Sequence, residues 1–158
     1  MHLCTHTVQA ETTAAALWQL WTNVKHWPSW DTRLQSVEMN TPFRQGNSGM
    51  LTFKDGTQRK FTVIKLQMLE SIVILMPYQH NSEQRIAWDI KSTDGGAVTF
   101  EQEVTLTASP FSMLLLRGQK DMLVQQATDQ LQKMVQMLEG ATSPFQDTAG
   151  RGNPKTAL

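Results

Sequence analysis

Three groups of residues in this 158-residue chain have the types and spacing to do chemistry. His2, Cys4 and His6 alternate along one segment. In a strand they share a face and offer two imidazoles and a thiolate to a metal. The two histidines stand too far apart on a strand to share one tetrahedral ion, and no carboxylate joins them, so no metal site is expected. Asp31 and Arg33 follow the turn Trp27-Pro28-Ser29-Trp30 and could act as an acid/base pair. The plainer reading makes them exposed polar groups of a loop. Gln102 falls on an otherwise apolar strand face. An unpaired buried amide costs about 1–3 kcal/mol, so Gln102 needs a partner: the Trp88 indole, a water or a ligand. No nucleophile elbow, phosphate loop or paired metal motif is present, so no catalytic residue is assigned and no cofactor is called for.

The elements that hold these residues follow from periodicity. Leu3–Ala10 reads as a first strand. Glu11-Thr12-Thr13 offers hydroxyls that cap a helix over 13–22, where Ala14, Leu17, Trp18, Trp21 and Val24 recur at helical spacing. A short turn or helix follows near 23–27. Pro28 pushes Trp27 toward extended backbone. From Leu34 the period becomes two. Strands are expected at Gln35–Met39, Gly49–Phe53, Arg59–Met68, Ser71–Met76, Gln84–Lys91 and Ala97–Thr107. Asp55-Gly56 marks one hairpin and Asp94-Gly95-Gly96 another.

The second hairpin permits a register argument. A three-residue loop at 94–96 sets Ile90 opposite Phe100, Trp88 opposite Gln102 and Ile86 opposite Val104. The bulky apolar side chains then share one face, and Arg85, Asp89, Glu101 and Glu103 take the other. A two-residue loop that sets Trp88 opposite Glu101 mixes the faces. Register follows the buried face, so the three-residue loop is expected.

Residues 112–139 read as one long amphipathic helix after Ser109-Pro110, with a stripe through Leu116, Leu123, Ala127, Leu131, Met134 and Leu138. Gly118 interrupts it early, and Gly140 is the expected C-terminal cap. Residues 141–158 have the composition of a flexible tail, which leaves 1–140 as the domain.

Charge and composition exclude several functions. Fourteen basic residues balance fourteen acidic ones, so no field of one sign favours nucleic acid or an anionic membrane. The longest apolar runs are too short for stable membrane insertion. Residues 1–10 lack a secretory signal. Cys4 is the single cysteine, which precludes an internal disulfide and makes the reducing cytoplasm the expected location.

The segments Ala16–Trp21, His26-Trp27-Pro28-Ser29-Trp30-Asp31, Phe43–Gly49, Trp88 with Asp94-Gly95-Gly96, and Leu131–Glu139 resemble, in order and spacing, the START-like or birch-pollen-allergen-like superfamily. The likeness is to its polyketide cyclase/dehydrase and lipid-transport branch and covers roughly residues 3–140. It implies an α+β helix-grip fold: a curved antiparallel sheet of about seven strands around a long C-terminal helix, with two short helices between strands one and two. It also implies a cavity between sheet and helix, without implying a reaction.

Within that frame Trp18 and Trp21 read as core. The cavity lining is expected from Trp27, Trp30, Phe61, Trp88, Phe100, Gln102, Leu116, Leu123 and Ala127. Met50, Met68, Met76, Met113 and Met122 are expected to face the interior as adaptable filler. The expected function is binding of a hydrophobic small molecule, lipid-, quinone- or polyketide-like. A polyketide cyclase or dehydratase is the alternative, and a protein-interaction module with a protein partner is the third.

Overall fold

Alternation along the strands and one helical stripe organise the molecule. The structure, a computed structural model, describes residues 1–142. Seven strands form one antiparallel sheet in the order β1-β7-β6-β5-β4-β3-β2. They are β1 (His2–Ala10), β2 (Leu34–Glu38), β3 (Ser48–Phe53), β4 (Gln58–Gln67), β5 (Ser71–Tyr78), β6 (Ser82–Asp94) and β7 (Ala97–Thr107). Between β1 and β2 lie α1 (Ala14–Thr22), a 3-10 turn at Val24–His26 and α2 (Trp27–Trp30). After β7 come α3 (Pro110–Leu116), a 3-10 turn at Arg117–Gln119 and α4 (Lys120–Thr142). This is the helix-grip arrangement expected from the sequence.

The register of β6 on β7 is the expected one: Ile90 faces Phe100, Trp88 faces Gln102 and Ile86 faces Val104. The loop is not. Asp94 pairs with Ala97, leaving a two-residue turn, Gly95-Gly96, with φ of +58° and +86°. Two consecutive positive φ values suit a tight hairpin turn and favour glycine. A bulge between Ile90 and Ser92 absorbs the extra residue. Burial of one face thus set the register, and the bulge reconciled it with the tightest turn.

Local chemistry explains the helix starts. Thr13 Oγ1 accepts a hydrogen bond from the Ala16 amide at 3.1 Å and caps α1. Ser109 Oγ accepts from the Ser112 amide at 3.2 Å, and Pro110 opens α3. Trp27 departs from expectation. It is helical, with φ −56° and ψ −36°, despite preceding Pro28. Its indole Nε1 donates to the Trp21 carbonyl at 2.9 Å, and its rings are buried. Tertiary anchoring overrides the local bias of the residue before proline.

The closing segment is two helices, because the 3-10 turn centred on Gly118 interrupts it. Gly140 is not the cap, since α4 runs on to Thr142. The remainder of the expected tail, 143–158, lies outside the described residues. The stripe Leu116, Leu123, Ala127, Leu131, Met134 and Leu138 is buried, and α4 packs on β1, α1 and α2. Of the methionines expected inside, Met76 is buried, whereas Met50, Met68 and Met122 are exposed.

Candidate functional site

The nine residues expected to line a cavity come together in the interior, all of them buried. They meet one another closely. The Trp88 ring is T-shaped to Trp27 at 6.0 Å and to Trp30 at 5.7 Å, and it stacks on Trp21 at 5.5 Å. Trp27 lies 5.0 Å from Phe61, centroid to centroid, and Trp21 lies 5.8 Å from Phe100. Gln102 is satisfied within the protein. Its Oε1 accepts from Trp88 Nε1 at 2.7 Å and its Nε2 donates to the Ala127 carbonyl at 3.4 Å. The void against Trp27, Trp30 and Trp88 measures about 30 Å³, room for a water or two.

Beside that void, Asp31 and Arg33 tie the α2–β2 connection to α4. Arg33 Nε donates to Asp31 Oδ1 at 3.1 Å, and Nη2 donates to Oδ2 at 2.9 Å. From α4, Gln130 Nε2 donates to Asp31 Oδ2 at 2.9 Å, and Gln126 Oε1 accepts from Arg33 Nη1 at 2.9 Å. Asp31 is only 6% exposed. Far from being loose loop groups, the two residues form a forked ion pair, the arrangement that a carboxylate needs when buried.

Outside this clasp a pocket of about 330 Å³ opens between the β3–β4 hairpin, the end of β5 and the start of α4. Phe53, Arg59, Tyr78, Met122, Arg33 and Gln126 are among its lining residues. The Arg59 guanidinium carbon sits 4.9 Å from the Phe53 ring centroid and 4.7 Å from that of Tyr78. Two aromatic rings therefore engage one cation. Among the described residues, no carboxylate lies within 4.0 Å of Arg59. Burial lowers its pKa from the ordinary value, although a guanidinium remains charged at neutral pH. Burial raises the Tyr78 phenol in turn, against the field of Arg59. Tyr78 Oη donates to Gln119 Oε1 at 2.6 Å, and Gln119 Nε2 donates to Gln79 Oε1 at 2.8 Å. On the exposed rim, hydrogen bonds from the Thr57 hydroxyl and amide hold Asp55 below the usual carboxylate range.

A half-buried cation with aromatic walls and no carboxylate partner complements an acidic or carbonyl oxygen on a partly apolar molecule. Sequence reading missed Arg59, Phe53 and Tyr78. One signal was available: Arg59 has the parity of Phe61 and Val63, both buried on β4. An arginine in line with core residues is a candidate for a site. An open apolar groove of about 570 Å³ also runs between β1 and α4, with Val8, Leu131 and Val135 in its lining. Among the described residues that line it, His6 is the one titratable group. The register slip between His2 and Cys4 puts His2 beside Thr5 and Glu103 at the surface, while Cys4 is buried. The alternation expected of His2, Cys4 and His6 is broken at its first step.

A family model described as polyketide cyclase / dehydrase and lipid transport matches residues 11–132. Among solved structures, the chain is similar to the di-domain ARO/CYC StfQ from the steffimycin biosynthetic pathway, with a TM-score of 0.67 and 12% identity. It is similar to a protein of the dynemicin biosynthetic locus, with a TM-score of 0.66 and 15% identity. Each likeness covers 87% of this chain, but the chain spans about half of those proteins, 45% and 47% respectively. Norcoclaurine synthase of Thalictrum flavum, solved with a transition-state analogue, matches with a TM-score of 0.65 and 11% identity over 89% of this chain and 95% of that one. At these identities the likenesses establish the fold alone. No curated protein matches the sequence.

Proposed function

The chain belongs to the polyketide cyclase/dehydrase and lipid-transport family, and within it we propose that this protein binds a small, partly apolar molecule whose acidic or carbonyl oxygen is held by Arg59. The observation that carries this reading is the Arg59 guanidinium, half-buried between Phe53 and Tyr78 in a pocket of about 330 Å³. That volume is in the range of small-molecule sites. The ring faces and Met122 suit the apolar part of a ligand, and the guanidinium suits its oxygen.

The pocket opens beside the start of α4, and its lining includes none of the nine residues expected to line a cavity. The interior residues Trp27, Trp30, Phe61, Trp88, Phe100, Gln102, Leu116, Leu123 and Ala127 form the deeper part of the proposed site. To reach them, a longer lipid-, quinone- or polyketide-like ligand would have to part the Asp31–Gln130 and Arg33–Gln126 hydrogen bonds and displace packed side chains, since the void there holds about 30 Å³. The buried Cys4 thiol suits a reducing compartment, and the cytoplasm is the proposed location.

The test is calorimetric titration with 2-naphthoate, its neutral amide and octanoate. The naphthoate should bind about tenfold or more tighter than the amide, because a charge-assisted pair is lost in the amide. Arg59→Met should erase the difference. Binding of acid and amide that is unchanged by Arg59→Met rejects the proposal, equal binding lost in Arg59→Met assigns a carbonyl ligand, and octanoate against naphthoate separates aliphatic from aromatic ligands.

One observation favours the cyclase alternative. Tyr78 sets a protonated phenol beside the cation, and on turning from Gln119 its one hydrogen can bond a carbonyl that is gaining negative charge. If so, Tyr78→Phe should abolish turnover of a polyketide-like substrate and leave binding intact.

A further inference from the structure

Three large apolar side chains stand exposed on α3: Phe111 (71%), Leu114 (58%) and Leu115 (47%). Their spacing of three and four residues puts them on one side of the helix. The other side is spent inward, with Ser112 and Leu116 buried. This corner stands at the mouth of the pocket. Met122, 47% exposed on the first turn of α4, lines the pocket, and Gln119 accepts the Tyr78 hydroxyl hydrogen. Arg117 and Lys120 are exposed beside the stripe, and among the described residues neither has a carboxylate within 4.0 Å. Asp121 is the one acidic residue in the segment 108–122.

We propose that α3 docks on an anionic lipid surface. Phe111, Leu114 and Leu115 enter the boundary between headgroups and acyl chains, and Arg117 and Lys120 pair with lipid phosphates and carboxylates. The pocket mouth then faces the bilayer. Patch size favours lipid over a protein partner. These side chains offer on the order of a few hundred Å² of apolar surface, against the roughly 800 Å² per partner buried in a stable protein interface. Reversible membrane binding needs only a small apolar face and a few basic residues. The overall charge is balanced, so the attraction is local. The contact is peripheral, since no helix among the described residues is long and apolar enough to cross a membrane.

Flotation with vesicles tests this, using phosphatidylcholine alone and equal parts of phosphatidylcholine and phosphatidylserine. The parent protein should float with the mixed vesicles, float less with phosphatidylcholine alone, and release in high salt. Phe111→Ser with Leu115→Ser should lower the partition about tenfold or more, the loss expected when two large side chains no longer leave water. Arg117→Gln with Lys120→Gln should remove the preference for phosphatidylserine. All four positions are exposed, so the melting temperature and 2-naphthoate binding in solution should not change. A failure of docking is thereby separated from a failure of the pocket proposal. Absence of flotation with both vesicles, or equal flotation of the serine variant, overturns the inference. So does a shift in oligomeric state of the serine variant without any vesicle binding, which makes the stripe a protein interface.

Discussion

The indole of Trp88 on β6 donates a 2.7 Å hydrogen bond to the side-chain oxygen of Gln102, its cross-strand partner on β7. Both residues are almost fully buried. Gln102 also reaches the Ala127 carbonyl, so one amide joins two strands to α4. Gln102→Leu should leave the indole N–H unpaired and cost about 1–3 kcal/mol. In a domain of this size each kcal/mol lowers the melting temperature by about 2–4 °C. A cycle with Trp88→Phe should show coupling between the two positions. A Gln102→Leu protein that melts with the parent would show that the pair contributes nothing.

Asp31 is the buried member of the clasp. Asp31→Ala takes the acceptor from Gln130 and leaves the Arg33 side chain its bond to Gln126. Breaking a fully buried pair costs about 3–5 kcal/mol. The Arg33 side chain is 34% exposed and recovers some solvation, so the expected loss is nearer 2 kcal/mol. Denaturant unfolding measures it. An unchanged midpoint with an unchanged slope would refute the structural role of the clasp.

Alkaline pH should weaken the fold through two groups. Burial raises the Cys4 thiol above its ordinary 9.0 and the Tyr78 phenol above its ordinary 10.0. The folded state therefore keeps both protons longer than the unfolded chain does. The stabilisation is complete below those ordinary values and fades as pH rises through the shifted ones. Cys4→Ala and Tyr78→Phe should each flatten the fall in melting temperature above about pH 9. At neutral pH the native thiol should react with a disulfide reagent far more slowly than the denatured one. Fast labelling of native Cys4 would contradict its burial.

Gly49 marks a close approach. A Cβ there would lie 2.5 Å from the Phe61 ring and 2.8 Å from the Glu38 carbonyl oxygen. Gly49→Ala should cost about 1–3 kcal/mol by overpacking. Adding Phe61→Leu should recover part of that cost, because the ring contributes the closest contact. If the double variant is no more stable than the two single losses combined, the Glu38 backbone is the obstacle.

Local pattern in the sequence sufficed for much of the architecture. The alternation of Ile86, Trp88 and Ile90 against Phe100, Gln102 and Val104 specified which residues face each other, because a one-residue slip turns every side chain to the other face. The Ser109-Pro110 start, the Asp55-Gly56 hairpin and the α4 stripe were legible for the same reason: each rests on residues close in the chain. Packing among distant segments was left to tertiary structure. A bulge near Lys91, not a longer loop, reconciled the register of β6 and β7. The helical backbone of Trp27 came from burial against Trp88 and Phe61, which outweighed the influence of Pro28. How closely the interior tryptophans fill their space depends on side chains from α1, α2, the sheet and α4 at once. The Arg59 site depends on Phe53 and Tyr78 flanking one position of β4 from the strands on either side. Its surroundings arise only where β3, β4 and β5 meet, since the aromatic walls of Arg59 come from the two strands that flank it.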